Sequence, residues 1–153
     1  MQSIKHIDHV NLVVADMPAM IDFYCNVLGM RLARQVTISG SWIDDVTGLK
    51  DVTADVAFLE ATAGPKIELL YYHRPQGSRA PGQEIPNTLG LRHLAFRVSD
   101  IEQLVACIRA AGVPLLSEIH CVPTAQVPYA ETQKRLVYFR DPEGNLLELC
   151  AYG

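Results

Sequence analysis

The chain has 153 residues, 49% of them apolar and 20% charged, with a formal net charge of −4. That supports one substantial core or two small modules sharing an interface, and leaves no room for separate large catalytic and regulatory domains. The charge gives no broad footprint for nucleic acid, no apolar run is long enough to span a bilayer, and the first residues lack a secretory pattern.

The first periodic segment is Ile7 to Val14. As a strand it turns Val10, Leu12 and Val14 one way and His9, Asn11 and Val13 the other. Asp16 is placed to cap a helix from Met17 to Leu28, with Met20, Phe23, Tyr24, Val27 and Leu28 at helical spacing and Gly29 as terminator. Pro18 fits the first turn, where a missing N–H costs nothing. Strands are expected over Leu32–Ser39, Val52–Ala61 and Lys66–Tyr72. Gly40 to Lys50 has no clear period; Trp42 and Ile43 there are placed as cover for a pocket.

The connector from His73 to Leu89 is broken by Pro75, Gly77, Pro81, Gly82 and Pro86. Beyond it the opening grammar returns. Leu91 to Val98 alternates, grouping His93, Ala95 and Arg97 on one face. Asp100 and Gln103 form a capping box, Ile101, Leu104, Val105 and Ile108 an apolar stripe, and Gly112 a stop. His9 to His93 is 84 residues, as is Asp16 to Asp100; Gly29 to Gly112 is 83. The chain is a duplication. Later strands are expected over Pro114–Glu118, Lys134–Phe139 and Leu146–Cys150, with Asp141 to Asn145 as a turn.

The expected fold is α+β. Two paired βαβββ modules occupy 1–74 and 90–153, joined by a linker at 75–89, each with a helix on one face of a curved mixed or antiparallel sheet. The face away from the helices carries the chemistry. It holds His9 and His93 at matching strand starts. Glu68 lies between Ile67 and Leu69, and Glu148 between Leu147 and Leu149, so each projects opposite its apolar neighbours. A carboxylate buried there without a partner is costly. Two imidazoles and two carboxylates suit one divalent transition ion: nickel, zinc, cobalt, manganese or iron. The plainer alternative, strand-edge histidines and solvated glutamates, explains each residue singly but not the repeated arrangement. Asn11, Trp42, Arg97 and Tyr129 are expected to line a substrate pocket, Arg97 as a partner for a carboxylate group. The four cysteines, Cys25, Cys107, Cys121 and Cys150, form no CxxC pair and read as ordinary thiols of a cytoplasmic protein.

These residues carry a resemblance. His9-Val10 with Phe23 to Gly29, Lys66 to Leu70, Gly90 to Phe96, and Arg140 to Leu149 occur in order around the duplication. The chain resembles the vicinal oxygen chelate superfamily, the glyoxalase/bleomycin-resistance/dioxygenase group, with glyoxalase I and methylmalonyl-CoA epimerase as the most similar subgroups. The resemblance implies paired modules closing around a metal cleft, His9, Glu68, His93 and Glu148 as ligands, a small-molecule substrate and a homodimer. It further implies a lyase or isomerase acting on vicinal oxygens through an enediolate or enolate. Glu148 is the first expectation for the base, and Glu68 for a second acid/base or a permanent ligand. The alternatives are an extradiol-type dioxygenase and a non-catalytic binding or antibiotic-resistance protein.

Overall fold

The computed structural model describes residues 3–127 and 133–153. The chain divides into two compact units, Met1–Ser78 and Arg79–Gly153.

In the first unit, β1 (His9–Val13) leads into α1 (Met17–Asp22), which passes directly into a π-helical turn over Phe23–Val27. The expected single helix therefore changes pitch, with the Leu28 amide bonding to the Phe23 carbonyl at 3.2 Å. Asp16 caps it by accepting from the Ala19 amide at 3.0 Å. Gly29 takes a φ of 74°, the left-handed conformation a helix stop requires. Next come β2 (Arg31–Ser39), α2 (Ser41–Thr47), β3 (Thr53–Glu60) and β4 (Lys66–Arg74).

The aperiodic stretch after Gly40 is thus a short helix. Gly48, at a φ of 70°, stops it, and the Asp44 carboxylate accepts from the amides of Asp51 and Val52 at 3.0 and 2.9 Å. Ile43 is buried with Val52, Ala54, Val56 and Leu70. Burying a side chain of that size contributes about 1.5–3 kcal/mol, which offsets the weak propensity of so short a helix. Trp42 beside it is 54% exposed.

The second unit repeats the plan with β5 (His93–Arg97), α3 (Ile101–Ala110), β6 (His120–Cys121), β7 (Lys134–Arg140) and β8 (Leu146–Tyr152). Asp100 caps α3 by accepting from the Gln103 amide at 2.8 Å. Ile101, Val105 and Ile108 of α3 are buried, as are Val137, Phe139, Leu147 and Leu149 of the sheet. The strand expected over Pro114–Glu118 is reduced to one bridge, Leu115 with Phe139. Pro114 has no N–H to give a ladder, and regular pairing resumes only at the two residues of β6.

Among the described residues each unit has one open four-stranded mixed sheet, ordered β1-β4-β3-β2 and β5-β8-β7-β6. First and last strands pair in parallel, β1 with β4 and β5 with β8, and the remaining neighbours run antiparallel. The expectation of curved sheets closing around a metal cleft is corrected here. The sheets are open ladders, and among the described residues no group of three or more His, Cys, Asp or Glu gathers where it could hold a metal ion. The physical reason lies in the register. It brings one histidine and one glutamate together on neighbouring strands within each sheet, which makes pairs and not a cluster.

Candidate functional site

In the first unit, parallel pairing sets Asn11 beside Glu68, and antiparallel pairing sets Phe58 on the other side of it. All three therefore share the sheet face opposite Ile67 and Leu69. The Asn11 amide donates to Glu68 Oε2 at 2.9 Å, and His9 Nε2 lies 3.5 Å from the same oxygen. The Phe58 ring meets the His9 ring edge to face at 6.5 Å, and the Arg34 guanidinium lies 4.9 Å over Phe58.

His9 is oriented from behind. Its Nδ1 bonds to Asp8 Oδ2 at 2.9 Å, and in the tautomer that donates there the lone pair of the ring is on Nε2. The same bond, with Lys66 beside it, holds the Asp8 carboxyl below the usual carboxylate range. A nitrogen lone pair and a carboxylate oxygen then face one another, and a proton or a metal ion between them removes the conflict. Metal–nitrogen and metal–oxygen bonds of about 2.0–2.2 Å at a tetrahedral angle set two donors about 3.4 Å apart. The 3.5 Å separation in this unit and the 3.3 Å separation of His93 Nε2 from Glu148 Oε2 in the other match that bite. Each pair fits a divalent transition ion in donor type and spacing, and supplies two protein donors.

In the second unit Tyr138 stands opposite Glu148 on β7, the place Phe58 takes opposite Glu68, while Ala95 stands where the first unit has Asn11. The Glu148 side chain is 4% exposed, and the Lys134 ammonium lies 2.6 Å from its Oε1. That ammonium approaches off the hydrogen-bonding direction, so Oε1 has a charge partner but no aligned donor. The Tyr138 ring lies 5.1 Å from that of His93. Burial, then the charge of Glu148 and a hydrogen bond to it, push the Tyr138 phenol up, which keeps it a donor. Burial also raises the Cys150 thiol, on the same face.

Two of the remaining expected pocket residues, Arg97 and Trp42, lie in different units. Arg97 sits on the His93 face with its guanidinium 5.0 Å over the Tyr152 ring. Trp42 lies on α2, whose neighbour Ile43 joins the core of the first unit. Tyr129 falls outside the described residues. Lys134 was not legible as a site residue, because a lysine at a strand start reads as solvated; only the register of β7 against β8 carries it to Glu148. His73, at the expected linker start, instead lies within β4, one residue before its end, and bonds through Nε2 to Asp55 Oδ2 at 2.9 Å. Asp55 also accepts from the Thr37 hydroxyl at 2.6 Å. Thr37 first, then His73, hold the Asp55 carboxyl below the usual carboxylate range.

Comparison with known proteins gives these two pairs a context. The chain is 32% identical over 151 residues to YaeR, an uncharacterized protein of Escherichia coli (strain K12), covering 97% of this chain and 98% of that one. It is 29% identical over 152 residues to a 2-epi-5-epi-valiolone epimerase of an Actinomyces species, covering 94% and 77%. The crystal structure of a glyoxalase family protein from Bacillus cereus superposes with a TM-score of 0.82 at 28% identity, covering 99% and 96% of the two chains. A family model matches residues 6–149, nearly the whole chain, and with it the chain belongs to the Glyoxalase/Bleomycin resistance protein/Dioxygenase superfamily.

Proposed function

We propose that the protein is a divalent-metal-dependent lyase or isomerase acting on a small substrate with vicinal oxygens. The observation that carries this reading is the pair of His–Glu contacts, His9 with Glu68 and His93 with Glu148, at the same register in two repeated units and at a metal-ligand bite. The family supports it, and the epimerase relative favours the isomerase arm. His9 with Glu68, and His93 with Glu148, are the pairs proposed to hold a metal ion, each within its own unit. When bound, the ion supplies Lewis-acid polarisation of a substrate oxygen.

The chain's own groups handle the proton. Both Asn11 and His9 address Glu68 Oε2, which leaves Oε1 to a substrate. Glu148 is held by Lys134 and Tyr138. This exchanges the roles expected from the resemblance, which put Glu148 first as the base, and favours Glu68 as the base that takes a proton from the carbon next to a carbonyl, with Glu148 as ligand and second acid/base. A base within about 2.6–3.2 Å of that proton's carbon or oxygen partner contributes about 10²–10⁴ in rate. The same reading takes the protein as a homodimer, as the resemblance implies, and as cytoplasmic, in keeping with four unpaired cysteines.

The test is metal content per chain by inductively coupled plasma mass spectrometry, after purification without added metal or chelator, for wild type and His93→Ala. The expected result is bound metal in the wild type, up to one equivalent per His–Glu pair, with the share of the His93–Glu148 pair lost in the variant. No bound metal, and no uptake of nickel, zinc, cobalt, manganese or ferrous iron, overturns the proposal and leaves a small-molecule binding protein.

A further inference from the structure

The two units place the same pair of ligand types on the same register, yet partner the carboxylates differently. Glu68 has a neutral amide, Asn11, on its flanking strand. At the equivalent position beside Glu148 stands Ala95, which offers no donor. Lys134 reaches Glu148 instead, from a β7 position that pairs with Tyr152. Four residues before Tyr138, it corresponds to Ala54, four before Phe58, and Ala54 is buried in the α2 core cluster. Among the described residues the second unit has no helix between its second and third strands, and the lysine occupies ground that α2 covers in the first.

The Lys134 side chain is 14% exposed and that of Glu148 is 4% exposed, so this is a desolvated ion pair. Removing either partner leaves an uncompensated buried charge. Its geometry is nonetheless loose: the ammonium sits close to Oε1 without the alignment of a charge-assisted hydrogen bond. A second cation that binds Glu148 must enter against this one, because two positive centres within a few ångströms of one carboxylate in a dry site repel strongly.

We propose that Lys134 is a resident counter-cation of the His93–Glu148 pair and antagonises metal loading there. This rests on the metal reading above. In the metal-free protein the ammonium neutralises Glu148 and keeps the buried carboxylate in place. A divalent ion that takes Glu148 displaces the ammonium towards solvent. Lys134 is a positioning residue in this account; it sets how readily the pair accepts a metal and does not itself touch substrate.

The test is zinc and cobalt affinity of the full chain, measured by competition with a chromophoric chelator. It compares wild type, Lys134→Met, Lys134→Gln and His93→Ala. Lys134→Gln keeps a donor near the buried carboxylate and guards against a Met variant that fails to fold. Both neutral variants are expected to bind about 10–100-fold more tightly than wild type, the range in which groups behind a metal ligand act. In the wild type, zinc is expected to speed the labelling of Lys134 by an amine-reactive reagent, read by mass spectrometry. Neutral variants that bind like wild type, while His93→Ala loses binding, overturn the role of Lys134 and leave the metal reading standing. If no protein binds, neutral variants included, the metal reading fails and this inference fails with it.

Discussion

Asp141 gives a sharp test of how the second unit holds its glutamate. The residue is 4% exposed and its carboxylate organises the turn before β8: Oδ1 accepts from the amides of Glu143 and Asn145 at 3.0 and 2.9 Å, and Oδ2 from the Asn145 side-chain amide at 2.8 Å. Three bonds to a charged acceptor, at about 1.5–3 kcal/mol each, give a gross loss of about 4–9 kcal/mol for Asp141→Ala. Water entering the vacated space recovers part of this, so the expected net loss is about 3–4 kcal/mol. For a chain of this length that is a fall of roughly 10 °C in melting temperature. Asp141→Asn keeps an acceptor for both backbone amides but turns one amide group towards that of Asn145, and is expected to cost about half as much. The assay is urea unfolding at neutral pH, with hydrogen exchange at the Glu143 and Asn145 amides as the local readout. A loss below about 1 kcal/mol for Asp141→Ala, with exchange unchanged, refutes the assignment of this carboxylate as the organiser of the turn.

Two further predictions concern the first unit. Asp55 has a depressed folded-state pKa, so it contributes stability that is present above its unfolded value and lost as pH falls through the folded one. Thr37→Val, which removes the larger cause, is expected to raise the Asp55 carboxyl pKa more than His73→Gln does, and to move acid unfolding to higher pH; carboxyl carbon NMR titration checks the order, and the reverse order counts against it. Gly29 has a φ of 74° and open space where a Cβ would sit, so Gly29→Ala is expected to cost about 1–2 kcal/mol from backbone strain alone, and Gly29→Asn less, by denaturant melts of the two variants.

The duplication could be read because its signals are local. Asp16 and Asp100 each accept from the amide three residues on, and Gly29 and Gly112 take nearly the same positive φ, 74° and 75°. Alternation likewise set Glu68 and Glu148 opposite their apolar neighbours. What escaped depends on distance in sequence. α2 buries chiefly Ile43 among its apolar residues and leaves Trp42 and Val46 in solvent, so it has no stripe to recognise. The π-helical turn keeps apolar spacing close to that of an α-helix. Pro114 weakens the strand that the apolar Leu115 and Leu116 predict, leaving the single Leu115–Phe139 bridge. The Lys134–Glu148 contact follows from cross-strand register, which no single strand encodes. A closed metal cleft was an inference from family likeness, and alternation within a strand carries no information on how many ligands converge.

Parallel pairing of first and last strands has a kinetic meaning. Asn11 and Glu68 are 57 residues apart in the chain, and α1, β2, α2 and β3 lie between them. A β1–β4 ladder, and β5–β8 after it, must close a loop of that order before any contact repays the entropy, which places these pairings among the slow, non-local steps of folding. Each His–Glu pair therefore comes into being only when its unit is topologically complete. A nascent or partly unfolded chain displays the two side chains far apart, so chemistry that needs both is withheld until the surrounding sheet has formed.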